Sequence, residues 1–531
     1  MVFVPDPPLS RAVVGLTGTL PRAVPSDAVV DVLSRAVPAE IVQKLLLLAI
    51  FVLACSGAAA VLRGWPLLGR LAAGVLFAWN PFVAERLLIG QWALLLGYCG
   101  LPWLVVAFRE QRLRRLPVRL ACALIPAAVG GFSAMAISGL VIIPLAACYA
   151  WSRPGTRRRR ARALAAISGV AAVLALMTVL SLPWLVPSLL RQVSTDPAGV
   201  NVFAARADTP FGSLGSLLSL GGIWNAQVVP GGYAGAATVF PLLLAVTGVA
   251  GYALGCRREP FWRGLGAAAL IGLAIASIGL TPAGRAILRS LIAAWPGFAV
   301  LRDGQQFVAP LALAEAVGLG AAVSWALRPG NAAASADPAR RRPRRGAAAV
   351  ADPARSRPRA GAGAVALGVF GLAAPVLLLP GLAWGGGGRL TAVRYPAGWL
   401  AARQAIDTDR APGSALILPW AAYRRYPWNG GRTMLDPWPR LLGRQAIWND
   451  GVQVGNLQLA PEDPESRRLT PLIRSDAPLT RPLQSAGVRY VIIDTPGADA
   501  ARLEARLGGA EHLGYRDGLI VYRLPGRRAG S

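Results

Sequence analysis

About ten apolar blocks, most of them near the roughly 20 residues that a helix needs to cross a hydrocarbon core, constrain this chain more than any other feature. They run approximately over 43–62, 66–82, 90–108, 119–132, 134–151, 164–188, 235–255, 264–280, 306–327 and 362–385. Inside a bilayer every backbone N–H and C=O must be satisfied within the protein, which leaves helices or a closed barrel. The blocks are rich in Leu, Ala, Val and Gly and do not alternate apolar with polar residues, so they read as helices. Composition agrees: 54% of the 531 residues are hydrophobic and 15% are charged, against about 25% charged in a typical soluble protein. The expected fold is an all-α polytopic membrane bundle of about ten spanning helices.

The formal net charge of +29 would by itself suggest a nucleic-acid binder. Its distribution argues against that partner. Arginines gather in short runs between apolar blocks, at Arg109 to Arg119, Arg153 to Arg162, Arg257 to Arg263 and Arg328 to Arg359. Such runs mark cytoplasmic loops, so the charge encodes orientation and no nucleic-acid partner is expected. Placing every run in the cytosol puts residues 1–42, the turn near Asn80, the loops 189–234 and 281–305, and residues 386–531 on the outer side.

This gives five segments. Residues 1–42 form an outer N-terminal stretch, in which Val29, Val30, Leu33 and Val37 recur at helical spacing and Ser26 is a candidate cap for an interfacial helix over 26–43. Residues 43–327 are the membrane bundle, and 328–361 a basic Ala/Pro/Arg linker expected to be disordered. Residues 362–385 are the last span. Residues 386–531 read as an extracytoplasmic α/β domain, with short buried strands at 414–420, 488–494 and 519–524 and helices near 397–408 and 498–508. The orientation leaves residues 1–42 outside with no apolar leader ahead of them, so a first span is expected upstream of Met1.

The five cysteines lie in or beside apolar blocks, without zinc or disulfide spacing, and there is one histidine. No metal site and no cofactor is expected, and proton transfer must fall to carboxylates, Tyr or the scarce Lys. Charged groups at the ends of spans are costly to keep there and are the natural functional candidates. They fall in four places: Asp6 with Asp27, Asp31 and Glu40; Trp79-Asn80-Pro81-Phe82 with Glu85, Arg86, Gln91 and Trp92; the loop with Arg206, Asp208 and Trp224; and Arg302-Asp303-Gly304-Gln305. All four belong to one membrane face under the topology above. Arginine forks suit phosphate, carboxylates suit base catalysis and aromatic faces suit sugar rings. Plainer readings stand beside these. Tryptophan anchors at interfaces, Glu85-Arg86 and Arg302-Asp303 can neutralise themselves in place, and Asn-Pro breaks helices. In the outer domain Trp428 is a candidate glycan-stacking residue, with aromatic core packing as the alternative.

The segments Trp79 to Arg86, Gly90-Gln91-Trp92 and Leu301 to Phe307 resemble actinobacterial multispanning glycosyltransferases of the GT-C type, related in layout to arabinofuranosyltransferases of the cell envelope. The resemblance covers most of residues 1–385. It implies a polyprenyl-phosphate sugar donor, an envelope glycan acceptor, an outward-facing site and a catalytic carboxylate in the first outer loop. On that basis Asp6, or else Glu85, is the expected base. Arg86, Arg206 and Arg302 are expected at the donor phosphate. Asn80, Gln91, Asp208, Asp303 and Gln305 would line the cleft, and Trp79, Trp92, Trp224 and Trp428 would stack on glycan. A non-catalytic membrane scaffold and an envelope-precursor transporter are the alternative functions.

Overall fold

A computed structural model describes residues 3–16, 23–109, 115–151, 159–190, 195–231, 233, 236–256, 260–328, 362–454, 457–495 and 497–526. The basic segment expected over 328–361 lies outside these, apart from Arg328. Each of the ten apolar blocks is represented by a helix. They are α2 (Ala39–Val61), α3 (Leu67–Ala78) continued by α4 (Pro81–Leu88), α5 (Trp92–Arg109), α6 (Leu116–Gly130), α7 (Phe132–Trp151), α8 (Arg159–Leu189), α9 (Val239–Gly255), α10 (Pro260–Ile278), α11 (Ala309–Ala326) and α12 (Ala362–Leu378). Among the described residues, seven helices are long and apolar enough to cross a membrane. An eighth is reached by joining α12 to Pro380–Gly388 across a 58° bend. The helices α6 and α9 are apolar but shorter. The protein is therefore multi-pass, with seven to eight full-length spans where the sequence suggested about ten.

Contacts sort the helix ends into two sets. At one end the Arg70 Nε donates to the Ala59 carbonyl over 3.2 Å, Arg109 donates to the Val61 carbonyl, and the Arg109 guanidinium lies 5.8 Å from the Trp262 ring centroid. This is the arginine end. At the other end Trp79 Nε1 donates to the Leu379 carbonyl over 3.0 Å, and Arg86 reaches Asp303. The C-terminal domain is attached there, so this is the domain end.

The N-terminal helix α1 (Ser26–Ser34) precedes α2. The single helix expected over 26–43 is two helices, divided at Pro38, since a proline disfavours helix at the residue before it. Ser26 is the first helical residue rather than the cap, and its hydroxyl donates to the Ala23 carbonyl.

The C-terminal domain is built on a five-stranded sheet. Its strands are β1 (Ser414–Leu418), β2 (Ala446–Ile447), β3 (Val488–Asp494), β4 (Glu511–His512) and β5 (Leu519–Arg523), in the order β2-β1-β3-β5-β4. Here β1 is parallel to both β2 and β3, while β5 is antiparallel to β3 and β4. Residues alternate between two apolar layers, as strand geometry requires. Ala415, Ile417, Tyr490 and Ile492 face a layer with Trp399 and Trp438, and Leu416, Leu418, Val491 and Ile493 face one with Leu469 and Leu483. The stretch from Trp420 to Trp448, read from sequence as an irregular loop, contains a hairpin pairing Tyr423–Arg425 with Thr433–Leu435. Trp399 and Trp438 stack with ring centroids 4.5 Å apart, and both are buried. Replacing Trp399 by alanine should lower stability by about 3–5 kcal/mol, as for other large core truncations. Thermal unfolding of the full chain in detergent, followed by near-ultraviolet circular dichroism, measures it.

Candidate functional site

Two arrangements share the domain end. The first is a largely buried ionic network. Asn80 caps α4: its Oδ1 accepts from Val83 N, while its Nδ2 donates to the Leu76 and Phe77 carbonyls and to the Tyr98 hydroxyl. With every group used, Asn80 sets the direction of α4, and Pro81 occupies the first helical turn, where its missing N–H costs nothing. This aims Glu85 and Arg86 into the bundle, where both are wholly buried.

The Arg86 guanidinium forks onto Asp303 at 2.6 and 2.9 Å, donates to Gln91 Oε1 at 2.5 Å, and donates to Gln305 Oε1 through both Nε (2.8 Å) and Nη2. All five of its donors are thereby used. The adjacent ion pairs anticipated from sequence are crossed instead: Arg86 takes Asp303, and Arg302 pairs with Glu462 of the C-terminal domain at 3.3 Å. Gln305 Nε2 donates to Glu85 Oε2 at 3.1 Å. The other Glu85 oxygen has no hydrogen-bond partner and faces Asp208. Asp208 is held by Gly222 N at 2.6 Å and by Arg206 at 3.4 Å, and its Oδ1 is likewise buried without a hydrogen bond. Burial raises the Asp208 carboxyl above the usual carboxylate range, against the lowering pull of Gly222 N–H and Arg206.

The second arrangement is a cavity of about 220 Å³ where the N-terminal segment, the start of α5 and the C-terminal domain meet. Asp27 and Asp31 of α1 line it together with Trp92, Tyr423, Arg440 and Trp448. Trp448 and Asp450 follow β2, so one wall is the carboxyl edge of a parallel strand, where open α/β sheets take their ligands. Asp27 is bridged by Arg440 at 2.7 Å. Asp31, 4% exposed, has its pKa raised to about 7, by burial first and by the neighbouring Asp27 second, with Arg440 and Arg35 opposing. The cavity and the network adjoin through Gln91-Trp92, since Gln91 holds Arg86 and Trp92 forms cavity wall.

The structure thus gathers Glu85, Arg86, Gln91, Asp208, Asp303 and Gln305 into one cluster, with Arg206 at its edge. Asp6 stands apart from it: its side chain is exposed and its backbone oxygen accepts from Arg403. Arg302 lies 4.8 Å from the Phe203 ring centroid. Trp224 packs edge-on to Phe203, Trp92 against Phe3, and Trp428 stacks on Tyr426 at 5.0 Å. Sequence reasoning left Arg440, Tyr233 and Glu315 out. Tyr233 is buried and donates to the Ser219 carbonyl at 2.7 Å. Glu315 had a visible signal, as the sole charged residue in α11, and Arg440 had none, because only folding brings it to Asp27. Among the described residues no three His, Cys, Asp or Glu side chains assemble as a metal site.

No protein-family model and no curated protein matches this chain in sequence. Solved structures do match in fold. The cryo-EM structure of the arabinofuranosyltransferase AftD from Mycobacteria superposes with a TM-score of 0.60 at 17% identity, over 100% of this chain and 38% of AftD. A mutant form of AftD gives 0.56 at 18% identity, over 94% of this chain and 36% of that one. The chain has a GT-C-like fold. It spans little more than a third of the length of AftD, and the likeness extends through the bundle into the C-terminal domain.

Breaking a buried charged pair by removing one partner costs about 3–5 kcal/mol. Arg86→Met should destabilise the protein by that order, and adding Asp303→Asn should restore part of the loss. A double-mutant cycle on unfolding of the full chain in detergent reads the coupling.

Proposed function

We propose that this chain is a membrane glycosyltransferase-like protein that moves a sugar from a polyprenyl-phosphate donor to a cell-envelope glycan acceptor. The observation that carries the reading is the cavity at the domain end of a GT-C-like fold, which sets a buried carboxyl, Asp31, among aromatic faces. Asp31 takes the proton from the acceptor hydroxyl, whose oxygen attacks the anomeric carbon. The bond from that carbon to the phosphate oxygen breaks, and polyprenyl phosphate departs with the electron pair. Of the three arginines suggested by sequence for this phosphate, Arg206 is the most accessible, with 42% of its side chain exposed, whereas Arg86 is saturated by its partners. Asp31 is favoured over Asp6, which does not line the cavity, and over Glu85, which is wholly buried.

In this reading α6 and α9 also cross the bilayer, giving ten crossings. The arginine end lies in the cytosol and the C-terminal domain outside, as the positive-inside rule requires. The fold likeness favours this function over a scaffold or a precursor transporter.

Asp31→Asn should lower transfer from polyprenyl-phosphate sugars by about 100-fold or more. Asp6→Asn and Glu85→Gln assayed beside it decide among the three carboxylates. Because Asp31 must be ionised to accept a proton, the wild-type rate should rise with pH through about 7 and level off above it. A rate independent of pH from 5 to 9 would remove Asp31 from this role. Orientation has its own test. In a chain with its native cysteines replaced, Ser475→Cys should react with a membrane-impermeant maleimide in intact cells. Protection there, with labelling only after lysis, would place the domain in the cytosol.

A further inference from the structure

Glu315 is the sole charged residue of α11, a helix buried along nearly its whole length. Its Oε1 is inaccessible and has no hydrogen-bond partner. Leaving such a group unpaired costs about 1–3 kcal/mol or more, so the atom calls for a ligand. A second orphan faces the same small cavity. Ser219 Oγ is buried without a partner, on the loop after the short helix Gly212–Leu218, while its own carbonyl is occupied by Tyr233. Leu220 beside it is held at a φ of 63°, in the left-handed region, so the loop is fixed in an unusual shape at this point.

The cavity is about 20 Å³, room for one water-sized group. Its remaining wall is almost entirely apolar, with Leu76 and Trp79 of the α3 turn, Leu244 of α9 and Leu378 of α12. Trp79, Leu244 and Leu378 are only half-buried, so the cavity opens on the apolar outside of the bundle. Leu243 and Leu377, next to Leu244 and Leu378 in sequence, are exposed on the same two helices. Size and chemistry limit the occupant. A phosphate is too large and would be repelled by the carboxyl oxygens. A hydroxyl fits, since it donates to one oxygen and accepts from the other. Opening to lipid rather than to water favours a hydroxyl that arrives on an apolar chain.

We infer that Glu315 and Ser219 form the head-group site of a membrane-soluble long-chain alcohol, whose tail leaves between α9 and α12. This site is separate from the sugar cavity and carries no step of the transfer reaction.

The probe is a diazirine-bearing hexadecanol, photo-crosslinked to the purified full chain in detergent and mapped by peptide mass spectrometry. Label is expected within 241–245 or 375–379. Glu315→Leu, which removes the polar head contact, should lower the yield by about tenfold, the factor that one such hydrogen bond represents. Ser219→Ala should lower it without disturbing the helix packing, and Glu315→Gln should retain most of it. Hexadecanol should compete and hexadecane should not. Equal competition by hexadecane, or yield unchanged in both Glu315→Leu and Ser219→Ala, would overturn the inference. The readout is binding, so a chain inactive in sugar transfer still decides it.

Discussion

The fork between Arg86 and Asp303 is the contact from which the rest of the domain end is laid out. A guanidinium with no exposed surface is tolerable only when its donors are all met, and here Asp303, Gln305 and Gln91 meet them. Because Asp303 and Gln305 lie more than two hundred residues from Arg86 in sequence, the pair locks the end of α4 to the turn that begins α11. Gln305 then spends its amide on Glu85, and Glu85 meets Asp208 of the intervening loop. One cation thus fixes three segments that the apolar pattern alone leaves free to slide.

The C-terminal domain is tied to this frame in two ways. Arg302, adjacent to Asp303, pairs with Glu462, so the fork and the domain share one turn of chain. The N-terminal segment provides the other tie. Val4 enters the aromatic core of the domain beside Trp399. Arg403 of the domain donates to the carbonyl of Pro5 at 2.8 Å, and Asp27 meets Arg440. A chain segment pinned at both ends across two bodies leaves a gap between them, and the cavity with Asp31 is that gap. Its carboxyl keeps a raised pKa because burial in that gap and the nearby Asp27 outweigh the opposing pull of Arg440 and Arg35.

Much of this was legible in sequence because it follows from periodicity and length. Helices stand at each apolar block, and the strands at 414–418, 488–494 and 519–523 fall on the short apolar runs read as buried strands. The polar clusters around Glu85, Asp208 and Asp303 were also recognisable, since charges at span ends are expensive. Pairing was not. Glu85-Arg86 and Arg302-Asp303 look self-contained along the chain, and only the side on which each residue leaves its helix decides that Arg86 reaches Asp303 while Arg302 turns outward. Trp428 was likewise ambiguous between glycan stacking and core packing, because an aromatic next to Arg, Gly and Pro carries no sign of the layer it will enter; it packs against the domain's aromatic core. Length separates the ten blocks less cleanly: α6 and α9, with 15 and 17 residues, are apolar but fall short of full spanning length.

The stretch from Asn80 to Trp92 links the two candidate binding places. Asn80 and Pro81 border the small cavity that Glu315 lines, and Trp92 borders the cavity that holds Asp31. Between them Glu85 and Arg86 are wholly buried and knit to two other segments. An ionic layer of that kind fixes geometry, because any opening would strip Arg86 of several charge-assisted bonds at once. The two cavities therefore lie on either side of one rigid helix, and α4 sets the distance between them.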